Sequence, residues 1–213
     1  MPTEQDAYEN WADEYDTQSL KHQWQVPSAL FGMMYLQLHA GQSLLDLGMG
    51  TGLGSLPFHK AGLKIHGLEK SPAMIGQCRN RGLPWELYHH DLTNIPWPVE
   101  DDCIDHVISA GVFHFIGELD TLISEASRVI RSGGLFGFDF DEFQHDDRND
   151  YSLLRNGVYE TFDAKYDQHF YRHAEDYVRE VLSNAGFRVL HDTEFLASKE
   201  TKRYFRLFVS KHR

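Results

Sequence analysis

The sequence predicts an α/β fold with a seven-stranded, mostly parallel sheet, an antiparallel last strand, and helices on both faces. Two observations predict it. Between residues 43 and 140, short apolar runs alternate with helical patterns, which is typical of βαβ units and a parallel sheet. Near the C-terminus, two strand-like runs follow each other across a short turn, so the seventh strand must run antiparallel to the sixth.

Apolar periodicity places the elements in order. The first helix, Glu4 to Leu20, brings Tyr8, Trp11 and Tyr15 to one face. Further helices are predicted at Pro27–His39, after Gly52 to Ala61, at Ser71–Asn80, at Glu118–Ile130 (closed by Ser132-Gly133-Gly134) and at His173–Ala185. The predicted strands are Ser43–Leu47, Leu63–Glu69, Trp85–His90, Asp105–Ala110, Leu135–Phe140, Gly186–Leu196 and Lys202–Ser210.

Residues 141–170 interrupt the alternation of strand and helix patterns, because they are rich in Asp, Tyr and His and show little apolar periodicity. Such a segment is either an ordinary surface insertion or a substrate loop or lid. We therefore expect a single domain over residues 1–213. Residues 1–40 would form an N-terminal helical cover, and residues 141–170 a substrate loop or lid insertion.

Composition and charge argue against several classes of protein. No apolar run approaches the ~18–20 residues that span a bilayer, and the polar start is not a signal peptide, so we expect a cytoplasmic protein without a membrane partner. The net charge of −12 repels nucleic acid. Cys78, Cys103 and the 13 histidines form no ligand pattern, so no metal is expected.

The most specific motif is Asp46-Leu47-Gly48-Met49-Gly50-Thr51-Gly52, where an apolar strand runs into alternate glycines. Open α/β sheets bind ligands at the carboxyl ends of such strands. A dinucleotide-binding loop reads G-x-G-x-x-G, but the position that would complete it here is Leu53. The spacing favours a ligand without pyrophosphate, and a nicotinamide site is the less favoured alternative.

Acidic residues end the next two predicted strands. Glu69 can accept hydrogen bonds from both hydroxyls of a ribose. Asp91 can accept from an adenine amino group, with the Leu92 backbone beside it, and Met74 can pack on a purine. The alternative for Asp91 is a turn residue, and for Met74 a core side chain.

The ordered set of Asp46–Gly52, Glu69, Asp91, Asp105–Ile108 and Arg131–Gly134 resembles the class I S-adenosylmethionine (SAM)-dependent methyltransferases, which have a Rossmann-like fold. The resemblance covers roughly residues 40–140, and the terminal hairpin fits it. The opening segment Tyr8–Asp16 is similar to the helix of members that methylate small molecules. The resemblance implies SAM as the cofactor.

The resemblance also implies where SAM binds. Gly48, Gly50 and Gly52 would cradle its methionine part, Glu69 would hold the ribose, and Tyr15 would contact the carboxylate. Ala110 and Gly111 would line the sulfonium pocket. The complete implied cofactor set is Tyr15, Asp46, Gly48, Met49, Gly50, Gly52, Glu69, Lys70, Met74, Asp91, Leu92, Ala110 and Gly111.

The residues after the fourth and fifth predicted strands bear on the substrate. Ser109–Phe115 does not match the Asn/Asp-Pro-Pro-Tyr motif of enzymes that methylate amino groups of adenine or glutamine. His114 is a candidate general base, shielded by Phe113 and Phe115, or else it packs against a helix start. Asp139, with Asp141 and Glu142 on the same side, either orients a polar substrate or forms a solvated turn. Tyr15 is the third catalytic candidate.

We therefore expect a SAM-dependent methyltransferase that methylates an oxygen or nitrogen atom of a small polar metabolite, acting as a monomer or homodimer. The alternatives are a protein or RNA methyltransferase, a nicotinamide-dependent oxidoreductase, and a SAM-binding partner protein without activity.

Overall fold

The structure is a computed structural model that describes residues 4–144, 150–198 and 203–213, and their side chains except at 4–11, 13, 196–198 and 203–204. The helices are α1 (Glu4–Lys21), α2 (Val26–Met34), α3 (Leu56–Lys60), α4 (Pro72–Arg81), α5 (Leu119–Val129) and α6 (Glu175–Asn184). The strands are β1 (Ser43–Leu47), β2 (Lys64–Glu69), β3 (Pro84–His89), β4 (Ile104–Ser109), β5 (Ile130–Phe140), β6 (Ser152–Arg155), β7 (Val158–Asp163), β8 (Gln168–His173), β9 (Phe187–Ser198) and β10 (Arg203–His212). Short 3-10 turns occupy Tyr35–Gln37 and Phe113–Phe115.

The main sheet has seven strands in the order β3-β2-β1-β4-β5-β10-β9. β1 pairs in parallel with β2 and with β4, and β4 pairs in parallel with β5. β10 is antiparallel to both β5 and β9. The predicted Rossmann-like fold with an antiparallel last strand is therefore confirmed. This order brings the carboxyl ends of β1, β2 and β4 together, where open sheets bind ligands.

Apolar side chains cover both faces of this sheet. On one face, Phe136, Phe138 and Phe208 are fully buried in a core that includes residues of α5 and α6. On the other face lie Leu30 and Met34 of α2. Each such side chain stabilises the fold by roughly 1.5–3 kcal/mol when it is fully buried. The packing on both faces therefore keeps the ends of the strands in fixed positions.

Most predicted strands and helices are found with ends shifted by no more than two residues, although Lys202 lies outside the described residues. Two helices are shorter than predicted. α2 ends at Met34 in a 3-10 turn and does not reach His39. The helix after the glycine loop begins only at Leu56, because Gly50 and Gly52 have φ of 55° and 88° and hold that segment in turns.

The predicted closure of the fifth helix by Ser132-Gly133-Gly134 is wrong. α5 ends at Val129, and these residues lie within β5. A Cβ atom at Gly134 would collide with the carbonyl oxygen of Asp105. The glycine therefore permits close approach of neighbouring strands and does not end a helix.

Residues 141–170, which show little periodicity in the sequence, contribute to three strands that the sequence did not predict. β6, β7 and β8 form a separate antiparallel sheet, called the small sheet below. Asn156-Gly157 makes the two-residue connection between β6 and β7, with Gly157 at φ 74°. His173, predicted to open a helix, is the last residue of β8 and is fully buried. Among the described helices, none has both the length and the apolar character that a membrane crossing requires.

Candidate functional site

The glycine loop leaves β1 and turns back toward β2. The backbone N–H groups of Gly48 and Met49 both donate to the carbonyl of Leu68, at 2.9 and 3.0 Å. Gly48, Gly50 and Gly52 all have positive φ, which L side chains rarely adopt. A Cβ atom at Gly50 would meet no described atom within 4 Å, so this part of the loop offers backbone to an approaching ligand.

Glu69 joins the glycine loop to the start of α4. Its Oε2 accepts from the backbone N–H of Gly50 at 2.8 Å, and its Oε1 accepts from that of Ser71 at 2.8 Å. The side chain is 8% exposed. Because each carboxylate oxygen has a further lone pair, the group can still accept from two ligand hydroxyls.

Asp46 and Met49 lie behind the loop. Asp46 accepts a hydrogen bond from the Ser55 hydroxyl, and its burial raises the pKa of the carboxyl to about 7, with Ser55 opposing and Glu69 adding to this rise. The Met49 sulfur lies 3.6 Å from the Cys78 sulfur, inside the core. Met49 can therefore serve a ligand only through its backbone.

The end of β3 places the predicted adenine residues in a turn. Asp91 Oδ1 accepts from the backbone and the hydroxyl of Thr93, at 2.9 and 2.8 Å. Burial alone would raise the pKa of Asp91, but these bonds lower it, so the carboxylate is charged. The Leu92 side chain is buried in the core, and the carbonyl of Leu92 accepts from the Trp97 indole. Leu92 can thus contribute only its backbone N–H.

The other two predicted adenine-side residues differ in position. Met74 is 4% exposed, on the first turn of α4, and its backbone N–H donates to Ser71 Oγ at 3.3 Å. Lys70 is exposed, and its carbonyl lies 3.0 Å from His89 Nε2. The structure therefore brings Met74 beside Glu69 and leaves the Lys70 side chain at the surface.

Gly111 follows Ala110 beyond the end of β4 and connects three elements. Its backbone N–H donates to Asp139 Oδ1 at 2.7 Å, and Asp139 is 1% exposed. A Cβ atom at Gly111 would lie 3.1 Å from the Trp24 ring, so Trp24 covers the end of β4. Sequence reasoning missed Trp24, which lies outside every motif.

Tyr15 of α1 reaches the same place. Its ring packs edge-to-face with Trp24, at 6.4 Å between centroids. Burial raises the pKa of Tyr15 to about 12, a hydrogen bond with Ser19 lowers it, and the charges of Asp139, Asp16 and Asp46 raise it further. Tyr15 therefore stays neutral and keeps its proton as a donor. The side chains of Tyr8 and Trp11, predicted on the same face, lie outside those described.

Asp16 fixes α1 to the glycine loop, which the sequence did not predict. Asp16 Oδ1 accepts from the Thr51 hydroxyl at 2.6 Å, and Asp16 Oδ2 pairs with Arg81 at the end of α4. Arg81 also donates from Nε to the Thr51 carbonyl at 2.9 Å. These residues are 35 and 65 positions from Asp16, so only the fold reveals the contact.

His114 lies in the 3-10 turn after β4, among aromatic rings. Ring centroids of Phe115, Phe170 and Phe205 lie 3.9, 6.1 and 6.3 Å from it. The prediction that Phe113 shields His114 is wrong, because Phe113 is fully buried and packs 5.0 Å from Phe138. The 3-10 turn directs consecutive side chains apart, so the rings of β8 and β10 take that place.

The acidic residues at the end of β5 do not share one side of the sheet as predicted. Arg206 pairs with Phe140, whose side chain points to the face opposite that of Asp139, and Glu142 contacts Arg206, so Glu142 lies away from Asp139. Glu142 Oε2 accepts from Arg206 Nε at 2.8 Å. Glu142 is therefore part of an ion pair and not of this site. Within the described ranges, no three His, Cys, Asp or Glu side chains are grouped to hold a metal ion.

Comparison with known proteins shows what the chain is similar to. Residues 45–138 match the model described as "Methyltransferase domain", and this stretch holds the glycine loop, Glu69, Asp91 and Gly111. Over this stretch the chain is similar to a methyltransferase domain. Structural neighbours of the chain bind SAM or S-adenosylhomocysteine.

Relatives of this chain include a malonyl-[acyl-carrier protein] O-methyltransferase of Serratia marcescens, 30% identical over 132 residues, 62% of this chain and 50% of the relative. The chain thus spans about half the length of that relative. A Burkholderia thailandensis 1,6-didemethyltoxoflavin-N1-methyltransferase, with bound 1,6-didemethyltoxoflavin and S-adenosylhomocysteine, has a TM-score of 0.71 at 12% identity over 97% of this chain and 87% of its own. A SAM-bound magnesium protoporphyrin IX methyltransferase of Synechocystis has a TM-score of 0.64 at 19% identity, over 91% and 81%. These two structures support the fold.

Proposed function

We propose that this protein transfers the methyl group of SAM to an oxygen or nitrogen atom of a small molecule. The observation that carries the proposal is the bond between Glu69 and Gly50. It places a buried carboxylate against an open glycine backbone at the end of β1. That pair suits a ribose next to a group that approaches the backbone closely.

The residues fit SAM at each part of the molecule. Gly48, Gly50 and Gly52 would face the methionine part, and Glu69 would accept from the ribose hydroxyls. The Asp91 carboxylate and the Leu92 N–H would take the adenine edge, with Met74 against the ring. Lys70 lies at the surface and would contribute at most its backbone to SAM binding. The buried Asp46 would support the glycine loop from beneath.

SAM supplies a methyl group on a sulfonium, which is already an activated leaving group. The chain then needs to align the acceptor and exclude water. Tyr15 and Trp24 cover the end of β4, and the bond from Gly111 to Asp139 fixes the backbone beneath them. His114 is placed to accept the acceptor's proton or to orient it.

The two flanking segments take supporting roles in this proposal. The N-terminal segment up to residue 40 would act as a cover, and Asp16 ties its first helix to the glycine loop. Residues 141–170 act as a substrate-side insertion, since Phe170 of the small sheet lies near His114. The protein would work in the cytoplasm as a single domain, as a monomer or homodimer.

The alternatives differ in what they require of the site. A protein or RNA substrate needs an open approach, and RNA also needs positive charge, whereas this chain carries a net charge of −12. A nicotinamide dinucleotide needs a pyrophosphate cradle, whereas the loop has Leu53 where that motif has glycine.

Methyl transfer is tested with SAM carrying a radiolabelled methyl group, incubated with the protein and a metabolite extract. We expect label in one or a few small molecules, and much less label when Glu69→Ala replaces the native protein at a SAM concentration below the dissociation constant of the variant. Label that appears only in macromolecules would favour the alternative, a protein or RNA methyltransferase. The absence of label from every fraction would contradict methyltransferase activity.

A further inference from the structure

Aromatic rings from four parts of the chain surround the end of β4. His114 and Phe115 come from the 3-10 turn, Phe170 from β8 and Phe205 from β10; these are called the ring cluster below. Tyr15 and Trp24 add two rings from the N-terminal segment. The ring of His114 is nearly parallel to that of Phe170, at an interplanar angle of 10°, and to that of Phe205, at 23°.

The ring cluster lies on the same face of the sheet as Asp139. Leu207 of β10 pairs with Asp139 of β5, and paired residues of antiparallel strands share a face. Phe205 is two residues from Leu207, so its ring points to that face as well. Trp24 stands over Gly111, whose N–H is bonded to Asp139. The rings therefore enclose the place where an acceptor would meet the methyl group.

Among the described side chains, three polar groups stand at this place. The Asp139 carboxylate is 1% exposed, the Tyr15 hydroxyl keeps its proton, and the His114 imidazole lies between rings. Ligand pockets for ring compounds have this composition, with aromatic walls and a small number of oriented polar groups. A highly hydrated sugar or amino acid would leave its polar groups unpaired against such walls.

We propose that the methyl acceptor is a flat aromatic ring bearing an O–H or N–H group, packed against the walls that Phe170 and Phe205 form, with that group toward His114. This inference rests on the proposed function and sharpens its substrate from a polar metabolite to an aromatic one. Stacked or edge-to-face aromatic contacts are favourable beyond simple burial, so the walls distinguish an aromatic ring from a saturated ring of the same outline.

Binding of a matched pair of probes tests this inference without a known substrate. 2-Naphthol and its saturated counterpart decahydro-2-naphthol are titrated into the full chain that has been saturated with S-adenosylhomocysteine. Calorimetry measures both the S-adenosylhomocysteine affinity and the probe affinities. We expect 2-naphthol to bind roughly 2- to 10-fold more tightly than the saturated probe.

Variants locate the effect. Phe205→Leu and Phe170→Leu are expected to remove most of the preference while leaving S-adenosylhomocysteine affinity unchanged. Phe162→Leu is the matched control, because Phe162 lies on the neighbouring strand of the small sheet and is 51% exposed. Thermal unfolding of each variant shows whether it is folded. If either variant is unfolded, the preference of the native protein for 2-naphthol over the saturated probe still tests the inference.

The outcomes separate the two proposals. Equal affinity of both probes in the presence of bound S-adenosylhomocysteine would overturn the aromatic acceptor and leave the proposed function standing. A preference that survives in folded Phe205→Leu and Phe170→Leu variants would also overturn it. Failure of S-adenosylhomocysteine to bind would overturn the proposed function itself.

Discussion

Glu69 is the residue on which the cofactor assignment depends. Its two oxygens hold the backbone of the glycine loop and of the α4 N-terminus, each at 2.8 Å. In the proposed function, the same oxygens would also accept from the ribose hydroxyls of SAM. One side chain would thus shape the loop and supply the ligand contact, because a carboxylate can accept several hydrogen bonds at once.

Glu69→Ala is expected to weaken SAM binding by about 10- to 150-fold, since hydrogen bonds to a charged acceptor are worth about 1.5–3 kcal/mol. Calorimetry measures the affinity, with Glu100→Ala as a control at an exposed acid. A folded Glu69→Ala variant with native affinity would mean that the carboxylate only shapes the loop.

His114 is tested by two substitutions once an acceptor is known. His114→Ala removes both proton transfer and hydrogen bonding, and we expect a loss of about 10²- to 10⁴-fold in turnover with SAM affinity kept. His114→Gln keeps a hydrogen-bonding group without a titrating one. Recovery of turnover in His114→Gln would show that His114 orients the acceptor by hydrogen bonding. Near-native turnover in both variants would remove His114 from the mechanism.

At the scale of residues, the sequence predicts those site residues that are defined by the spacing of a local motif. The glycine loop and Glu69 follow from motif positions on successive strands, and the structure brings them together. Asp16, Thr51 and Arg81 meet only because α1 folds across the loop. Phe113 and Glu142 were placed on the wrong side, because side-chain direction in a 3-10 turn and at a strand end depends on the backbone that follows.

At the scale of elements, α1 is the part that must move if the cover opens. Its described contacts with the glycine loop include the bonds from Asp16 to Thr51 and Arg81. Both Asp16 and Arg81 are partly exposed, at 33% and 25%, so solvent screens their attraction. Because solvent screens this ion pair, the pair favours the closed position of α1 but still allows α1 to move away from the glycine loop.

Asp16→Ala is expected to loosen α1 and to speed SAM release. Removing this partly exposed pair and its hydrogen bond costs about 1 kcal/mol, so amide exchange in residues 4–21 should rise about 5-fold. Hydrogen exchange with and without SAM measures this. Glu14→Ala on the same helix is the exposed control. Equal protection in both variants would show that apolar packing alone holds α1.

The small sheet shows the limit of periodicity as a guide. Its strands have few buried residues, so apolar and polar positions do not alternate clearly along them. The Asn156-Gly157 pair is typical of a two-residue hairpin turn, a local signal that the sequence prediction missed. The contact of Phe170 with His114 depends on how this sheet packs, which no local pattern encodes.

At the scale of the whole molecule, His173 joins the small sheet to the main one. Its backbone N–H donates to the Asp141 carbonyl at 2.9 Å, and its ring Nε2 lies 3.3 Å from the Phe113 carbonyl. Burial lowers the pKa of His173 to about 4, while its bonds to Phe113 and Ile116 raise it and the charge of Arg155 lowers it. The buried ring is therefore neutral in the folded protein at neutral pH.

This gives a pH dependence of stability with a definite sign. The unfolded chain binds a proton at His173 near pH 6.5, but the folded chain does so only near pH 4. The stability conferred by the neutral ring is thus complete above about pH 6.5 and is lost as the pH falls toward 4, by up to about 1.4 kcal/mol per pH unit.

Replacing His173 by Gln should flatten this loss, because Gln does not titrate. Denaturant unfolding between pH 7 and pH 4 measures the slope for the native protein and the variant, with His191→Gln as an exposed control. Parallel slopes for the native protein and His173→Gln would mean that His173 is not buried as described.

The fold as a whole was predicted because its signals are regular. Apolar strands alternate with helices, and the terminal hairpin fixes the direction of the last strand. The length of α3 and the start of β5 were not predicted, since glycines that serve close approach look the same in sequence as glycines that end helices. Gly134 beside the Asp105 carbonyl is one such position.

Ligand choice tests the central claim most directly. Calorimetry with SAM, S-adenosylhomocysteine and NAD compares a phosphate-free nucleoside ligand with a dinucleotide at the same glycine loop. We expect SAM and S-adenosylhomocysteine to bind to the native protein and, more weakly, to Glu69→Ala, and we expect NAD to bind to neither protein. Tighter binding of NAD than of SAM would contradict it.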